Sequence, residues 1–148
     1  MEIHTIGFTK TTAREFFGRL RHAGVRRLID VRLHNTSQLA GFAKADDLAY
    51  FLETICAIEY MHEPVFAPTD ELLDGLKKSK SISWDDFARG FARLLDERRA
   101  ADAVPRALFD RPVALLCSEA TADHCHRRLV AEYLAANWRD ENIRITHL

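Results

Sequence analysis

The sequence predicts a single α/β domain over residues 1–148, three layers deep, with a mostly parallel five-stranded sheet covered by helices on both sides. Three observations lead there. Short β-branched or apolar runs alternate with longer segments of helical periodicity. One run, Val113-Ala114-Leu115-Leu116-Cys117, is apolar on both faces, as a strand in the middle of a parallel sheet must be. The chain has 148 residues, 47% of them hydrophobic, and no repeat or linker, which suits one core.

The first strand is Ile3 to Ile6, closed by Gly7. Thr12-Ala13-Arg14-Glu15 has the form of a capping box, and the helix it opens carries Phe16, Phe17 and Leu20 on one face as far as Gly24. Arg27 to Val31 is the second strand, and a polar loop follows from about Leu33 to Ala43. Leu48, Phe51, Leu52, Ile55 and Cys56 have helical spacing, which places Cys56 in the core. Ile58 to His62 is the third strand. Pro64 and Pro68 mark a loop before a short helix around Leu72, Leu73 and Leu76. Ser83 caps a longer helix that buries Trp84, Phe87, Phe91, Leu94 and Leu95. Ala100 to Pro112 reads as a connection, since Pro105 and Pro112 stop a helix. After the central strand, Ser118 to Asp123 leads into a helix burying Leu129, Val130, Tyr133, Leu134 and Trp138, and Ile143 to Leu148 is the last strand. The favoured strand order is 3-2-1-4-5, which sets the loops after Ile6 and Cys117 around one crevice at a topological switch point.

No run approaches the length of apolar chain that spans a bilayer, and the N-terminus lacks a signal-peptide pattern, so a cytoplasmic protein is expected. Three cysteines, which cannot all pair, fit a reducing compartment. A net charge of −1 disfavours nucleic-acid and membrane-surface partners. The positive charge is mostly arginine, which suits a local anion site.

Asp123-His124-Cys125-His126-Arg127-Arg128 carries the strongest local signal. With Asp123 as N-cap, Cys125, His126 and Arg127 fall in the first turn of the last helix, where free amides and the helix dipole favour an anion. Basic side chains are unfavourable there without a negative partner, so a bound anion, phosphate for example, is implied. Arg127 would sit at the edge of the buried stripe, with Arg128 facing water near Glu132. His126 reads equally as a hydrogen-bonded core histidine, and Cys125 as a small buried hydrophobe. Cys117 ends the central strand; core packing is its first reading and a nucleophile its alternative. Glu119, two residues on, is placed for general acid–base work, with surface solvation as its plain reading. Asp30 and Arg32 share one side of the pleat and read as an ion pair or as ligand contacts. Gly7 and Thr9 after the first strand and Ser37 in the loop Asn35-Thr36-Ser37-Gln38 complete the ligand-binding candidates, with Asp30, Arg32, Cys125 and Arg127. A zinc site from Cys117, Cys125, His126 and His147 is not expected: neighbouring Cys125 and His126 would point apart on a helix, and no Cys-x-x-Cys is present. No cofactor is expected.

Thr5-Ile6-Gly7, Leu28-Ile29-Asp30-Val31-Arg32, Asn35-Thr36-Ser37 with Gly41-Phe42-Ala43-Lys44, Glu59-Tyr60-Met61-His62, Leu115-Leu116-Cys117-Ser118-Glu119, Cys125-His126-Arg127-Arg128 and Thr146-His147-Leu148 form a pattern along the whole chain. That pattern resembles the domain-of-unknown-function family 488, a prokaryotic group. The resemblance implies this fold and site and brings no activity with it. Gly7-Phe8-Thr9 departs from the Gly-His-Ser of many members, which removes a histidine base there. The Asp-Val-Arg strand and a cysteine after a later apolar strand also resemble rhodanese-like sulfurtransferases. Nine residues separate Cys117 from Arg127, more than the tight loops of rhodaneses or the Cys-x5-Arg loop of thiol phosphatases.

Three functions follow in order of preference. The first is an enzyme for a phosphate-bearing or otherwise anionic small molecule, a nucleotide among them, held by Arg32, Arg127 and helix amides with Glu119 moving protons. The second is cysteine-dependent sulfur transfer or phosphoester cleavage through Cys117 or Cys125. The third is a non-catalytic module for nucleic acid or protein, built on Arg19, Arg21, Arg26 and Arg27.

Overall fold

The computed structural model describes residues 1–36 and 40–148. β1 (Glu2–Ile6) leads to the capping box, in which the Glu15 amide donates to Thr12 Oγ1 at 3.2 Å and the Thr12 amide to the Glu15 carboxylate at 3.4 Å. The box opens α1 (Ala13–His22), which buries Phe16, Phe17 and Leu20. After β2 (Arg27–Asp30) and the loop, α2 (Ala45–Phe51) does not continue as a regular helix. It widens into a π turn over Leu52–Cys56 and closes on Ala57 at φ 53°. The extra residue in that turn breaks the helical spacing. Ile55 is therefore half exposed and Cys56 only partly buried, where the regular spacing had put both inside.

β3 (Glu59–His62) follows, then α3 (Asp70–Lys77) and α4 (Trp84–Glu97). The stretch expected to be a plain connection holds one turn, α5 (Ala100–Ala103), and a 3-10 turn over Arg106–Phe109. β4 (Val113–Leu116), α6 (His126–Asn137) and β5 (Arg144–His147) complete the chain. Among the described residues no helix is long and apolar enough to cross a membrane.

The five strands are all parallel and run β3-β2-β4-β1-β5. The α/β class and the parallel sheet are as the sequence predicts, but the order 3-2-1-4-5 is corrected: β4, not β1, holds the centre. Every residue of β4 is fully buried, so both its faces and both its edges must be covered. β1 carries His4 and Thr5 and is followed at the edge by the short, largely exposed β5.

Alternation sends Ala114 and Leu116 to one face, where they meet Ile6, Leu28, Phe16, Phe17 and Leu20. Val113, Leu115 and Cys117 face the other way, onto Phe87, Phe91, Leu95, Val130 and Leu134. Right-handed crossovers explain the split. Connections running towards β3 place α1 and α2 on the first face, and those running back towards β5 place α3 to α6 on the second. The chains leaving neighbouring β2 and β4 therefore diverge to opposite faces, and a crevice opens between them.

Candidate functional site

A cavity of about 180 Å³ occupies that crevice. Arg32, Leu33 and His34 after β2 form one side; Cys117, Ser118 and Glu119 after β4 form the other. The end of α3, the start of α4 and His124, Cys125 and His126 close it. It is smaller than a drug-sized ligand pocket, so only a small molecule or part of one enters.

Cys117 lies on the floor. Its amide donates to the Ile6 carbonyl at 3.2 Å, which extends the sheet ladder to the sulfur-bearing residue and fixes it. Its Sγ is 3.3 Å from His126 Nδ1, and His126 Nε2 is 2.7 Å from the Val31 carbonyl oxygen. A carbonyl only accepts, so Nε2 carries a hydrogen and Nδ1 faces the sulfur. The Phe91 ring meets His126 edge-on, with centroids 5.6 Å apart. The imidazole is thus fixed by three groups from three elements.

The start of α6 differs from the expected one. Cys125, not Asp123, is the N-cap, with extended backbone at φ −129° and ψ 137°. Because Cys125 lies outside the helix and His126 is its first residue, their side chains converge instead of pointing apart. Cys117, Cys125 and His126 each offer one ligand atom, all within 4.8 Å of one another, and all three are buried. The divergence of Cys125 and His126 expected from helical spacing is thereby corrected, while Cys-x-x-Cys spacing is indeed lacking; this trio is the one group of three such side chains among the described residues that could hold an ion. His147 does not join it and pairs with Thr5 Oγ1 at 2.7 Å.

Burial alone would push the Cys117 thiol up. Hydrogen bonds from Cys125, His126 and the Glu119 amide, with the His126 charge, outweigh it and hold Cys117 well below the usual thiol range. Burial and the neighbouring Cys117 sulfur drive Cys125 the other way, well above that range, although Arg127 opposes this. His126 is raised: burial would lower it, and the charge and hydrogen bond of Cys117 prevail. The Cys117 thiolate and the protonated His126 ring thus favour each other, while Cys125 is biased towards its neutral thiol. The positive end of α6 adds to the preference for a thiolate.

Around this centre the other predicted residues take distinct places. Glu119 lines the cavity and accepts a hydrogen bond from Lys77 Nζ. Arg32 also lines it, but its guanidinium is held by Asp30 in two bonds of 2.9 and 2.8 Å, and it lies over the Phe8 ring at 5.2 Å. Tyr60 donates to the same carboxylate at 2.6 Å, and burial together with Asp30 raises the Tyr60 phenol. Arg127 is fully buried rather than at the stripe's edge, and does not line the cavity. Its Nη1 donates to the Glu119 carbonyl at 2.6 Å, while Nε and Nη2 have no partner among the described residues. Gly7 lies against that same carbonyl. Thr9 is exposed and ties the β1 loop to Ser118 through its amide, at 3.0 Å, and its hydroxyl. Ser37 lies outside the described residues. Arg128 pairs with Glu132 at 3.4 Å, as the helical spacing indicates.

His124, one of the basic residues marked in the sequence beside His126, lines the cavity; His34, Lys77 and Trp84 are among the lining residues that the sequence did not single out for the site. The Trp84 ring stacks on His124 at 5.0 Å and on Phe87 at 5.3 Å, which makes one aromatic wall. Ser83 as a cap foreshadows where Trp84 begins its helix. Nothing in local spacing ties Lys77 to Glu119, 42 residues away.

No curated protein and no solved structure matches the chain. A family model does match, over residues 12–134, a span that holds β2, β4, the start of α6 and so Cys117, Cys125 and His126. The chain belongs to that family, described as Domain of unknown function DUF488.

Proposed function

We propose that the protein is an enzyme that acts on a small anionic molecule in this cavity, with Cys117 as its nucleophile. The observation that carries the reading is the Cys117–His126 contact of 3.3 Å on the cavity floor, with the far side of the ring fixed by Val31. Nucleophile, partner and orienting group form the arrangement that activates a thiol. His126 stabilises the thiolate and is placed to protonate a leaving group. The Lys77 ammonium at the wall, shared with Glu119, and the positive end of α6 are what an anionic electrophile would meet, and they favour it over a neutral one. Glu119, beside Lys77 at the wall, orients that lysine and is the group within reach to handle a second proton. Thiolate attack of this kind underlies sulfur transfer and phosphoester cleavage, the two reactions that a small anionic substrate would allow here.

The sequence assigned the anion to Arg32 and Arg127. Asp30 occupies the first, and the second is sealed beneath the Glu119 carbonyl, so both support the site's walls in this reading. Iodoacetate and iodoacetamide, alike in size and different in charge, test it on reduced protein. Cys117 is expected to react first, and to favour iodoacetate severalfold more than a free thiol does. Lys77→Met should reduce that preference. A Cys117 that stays unmodified, or reacts faster with the neutral reagent, would overturn the proposal.

A further inference from the structure

We propose that Cys117, Cys125 and His126 form a binding site for one thiophilic divalent cation of the zinc type, held by both sulfurs and by His126 Nδ1, with its fourth position open to the cavity. The inference rests on the reading of this cluster as the reactive centre and supplies its regulation. A cation here takes the sulfur electron pair that a nucleophile needs, so the loaded form is silent and release of the ion restores it.

Geometry carries the argument. Bonds of about 2.3 Å to sulfur and 2.0–2.1 Å to nitrogen around a tetrahedral ion separate sulfur from nitrogen by roughly 3.6 Å, and two sulfurs by roughly 3.8 Å. Cys117 Sγ and His126 Nδ1 are 3.3 Å apart, and the three ligand atoms lie within 4.8 Å of one another. An ion therefore enters with only small side-chain movements. The ligands are held by a strand end, a helix cap and a first helical turn, elements rigid enough to preserve the arrangement. His126 already donates its far nitrogen to the Val31 carbonyl, the outer partner that metal-ligating histidines characteristically have. No fourth cysteine, histidine or carboxylate joins the group among the described residues, and all three ligands line the cavity. Three protein ligands with one open position distinguish an exchangeable or reactive site from a closed structural one.

Zinc titration of the reduced, chelator-treated chain against a chromophoric competitor measures the site, and cobalt substitution reads its ligands. The expected result is one ion per chain, with thiolate-to-cobalt charge-transfer absorption and the visible bands of tetrahedral cobalt. Cys125→Ser should weaken binding at least about a hundredfold, as much as loss of even a supporting partner can cost. Zinc should also protect Cys117 from iodoacetate. The cobalt spectrum of the unaltered chain reports sulfur ligation whether or not the variant folds. No binding, a cobalt spectrum without thiolate absorption, or full affinity in folded Cys125→Ser would overturn the site. If zinc fails to bind while iodoacetate still modifies Cys117, the cation site falls and the thiol reading stands. If the ion binds through sulfur and Cys117 is inert in the ion-free chain, the thiol reading and the regulatory role fall together.

Discussion

Gly7 marks how closely the loops after β1 and β4 approach. A Cβ built there would lie 1.7 Å from the Glu119 carbonyl oxygen and 2.6 Å from Arg127 Nη1, contacts that no real side chain tolerates. Gly7→Ala must push the Glu119 loop and the buried guanidinium aside. Chemical denaturation should show a loss of about 1–3 kcal/mol, the usual cost of overpacking. Asp30 is the second sensitive residue. It is fully buried and accepts from the Arg32 guanidinium, from the Arg32 amide at 3.1 Å and from Tyr60. Asp30→Asn keeps the volume and leaves a buried arginine without its counter-charge. We expect a loss of about 3–5 kcal/mol in the same assay.

His4 sets a pH dependence with a definite sign. It is buried, neither ring nitrogen has a partner among the described residues, and burial lowers its pKa. The unfolded chain therefore binds a proton that the folded chain refuses. Stability falls as pH drops below about 6.5, until the folded-state pKa is reached. His126 is shifted upwards and contributes in the opposite sense, so the comparison is made against a variant. Replacing His4 with Phe should flatten the acid side of a melting-temperature profile; an unchanged slope would show that His4 is not the group responsible.

At the scale of elements, the sequence was most informative where local and tertiary preferences agree. The all-apolar run of β4 and the capping box of α1 could be read directly from residue types, because each satisfies its own chemistry within a few residues. The start of α6 could not. Asp123 offers a better local cap than Cys125, yet the chain runs two residues past it before turning helical. Contacts of Cys125 and His126 with Cys117, and of His126 with the Val31 carbonyl on the distant β2 loop, override the local preference at the place where the candidate chemistry lies. The π turn after α2 escaped for a related reason: one added residue changes the phase of a helix without altering its composition.

α3 shows how an ordinary element serves the cavity. The Thr69 hydroxyl caps it by accepting from the Leu72 amide at 3.2 Å, and its far end delivers Lys77 to Glu119. Thr69→Ala should cost about 1 kcal/mol. Fraying of this wall should also raise the modification rate of Cys117 by bulky thiol reagents, compared with the unaltered chain.

At the scale of the molecule, the layer plan was legible because strand and helix periodicities differ and alternate cleanly along the chain. Strand order was less legible, since periodicity reports which faces are buried and says little about which strand lies beside which. The full burial of β4 was visible in Val113, Ala114, Leu115 and Leu116, and that burial is what drives β4 between β2 and β1. The shift keeps the Cys117 loop at the crevice and gives it a new neighbour. It now faces the chain leaving β2, and that is how the Val31 carbonyl comes to hold His126. Cys117, Cys125, His126 and Glu119 were all marked in the sequence; the convergence of the first three was not, because it depends on a strand neighbour and a helix cap together.

If His126 activates the protein's nucleophile, it keeps Cys117 as a thiolate at the cavity floor. The most direct test is the rate of Cys117 alkylation against pH in chelator-treated protein, followed by mass spectrometry for the unaltered chain and for His126→Asn. Cys117 should react before Cys125, and its rate should hold as pH falls well below about 8.5, where a free thiol loses reactivity. In His126→Asn the profile should move up towards the ordinary thiol range. Cys117 titrating as a free thiol in both proteins, or Cys125 reacting first, would contradict that activation.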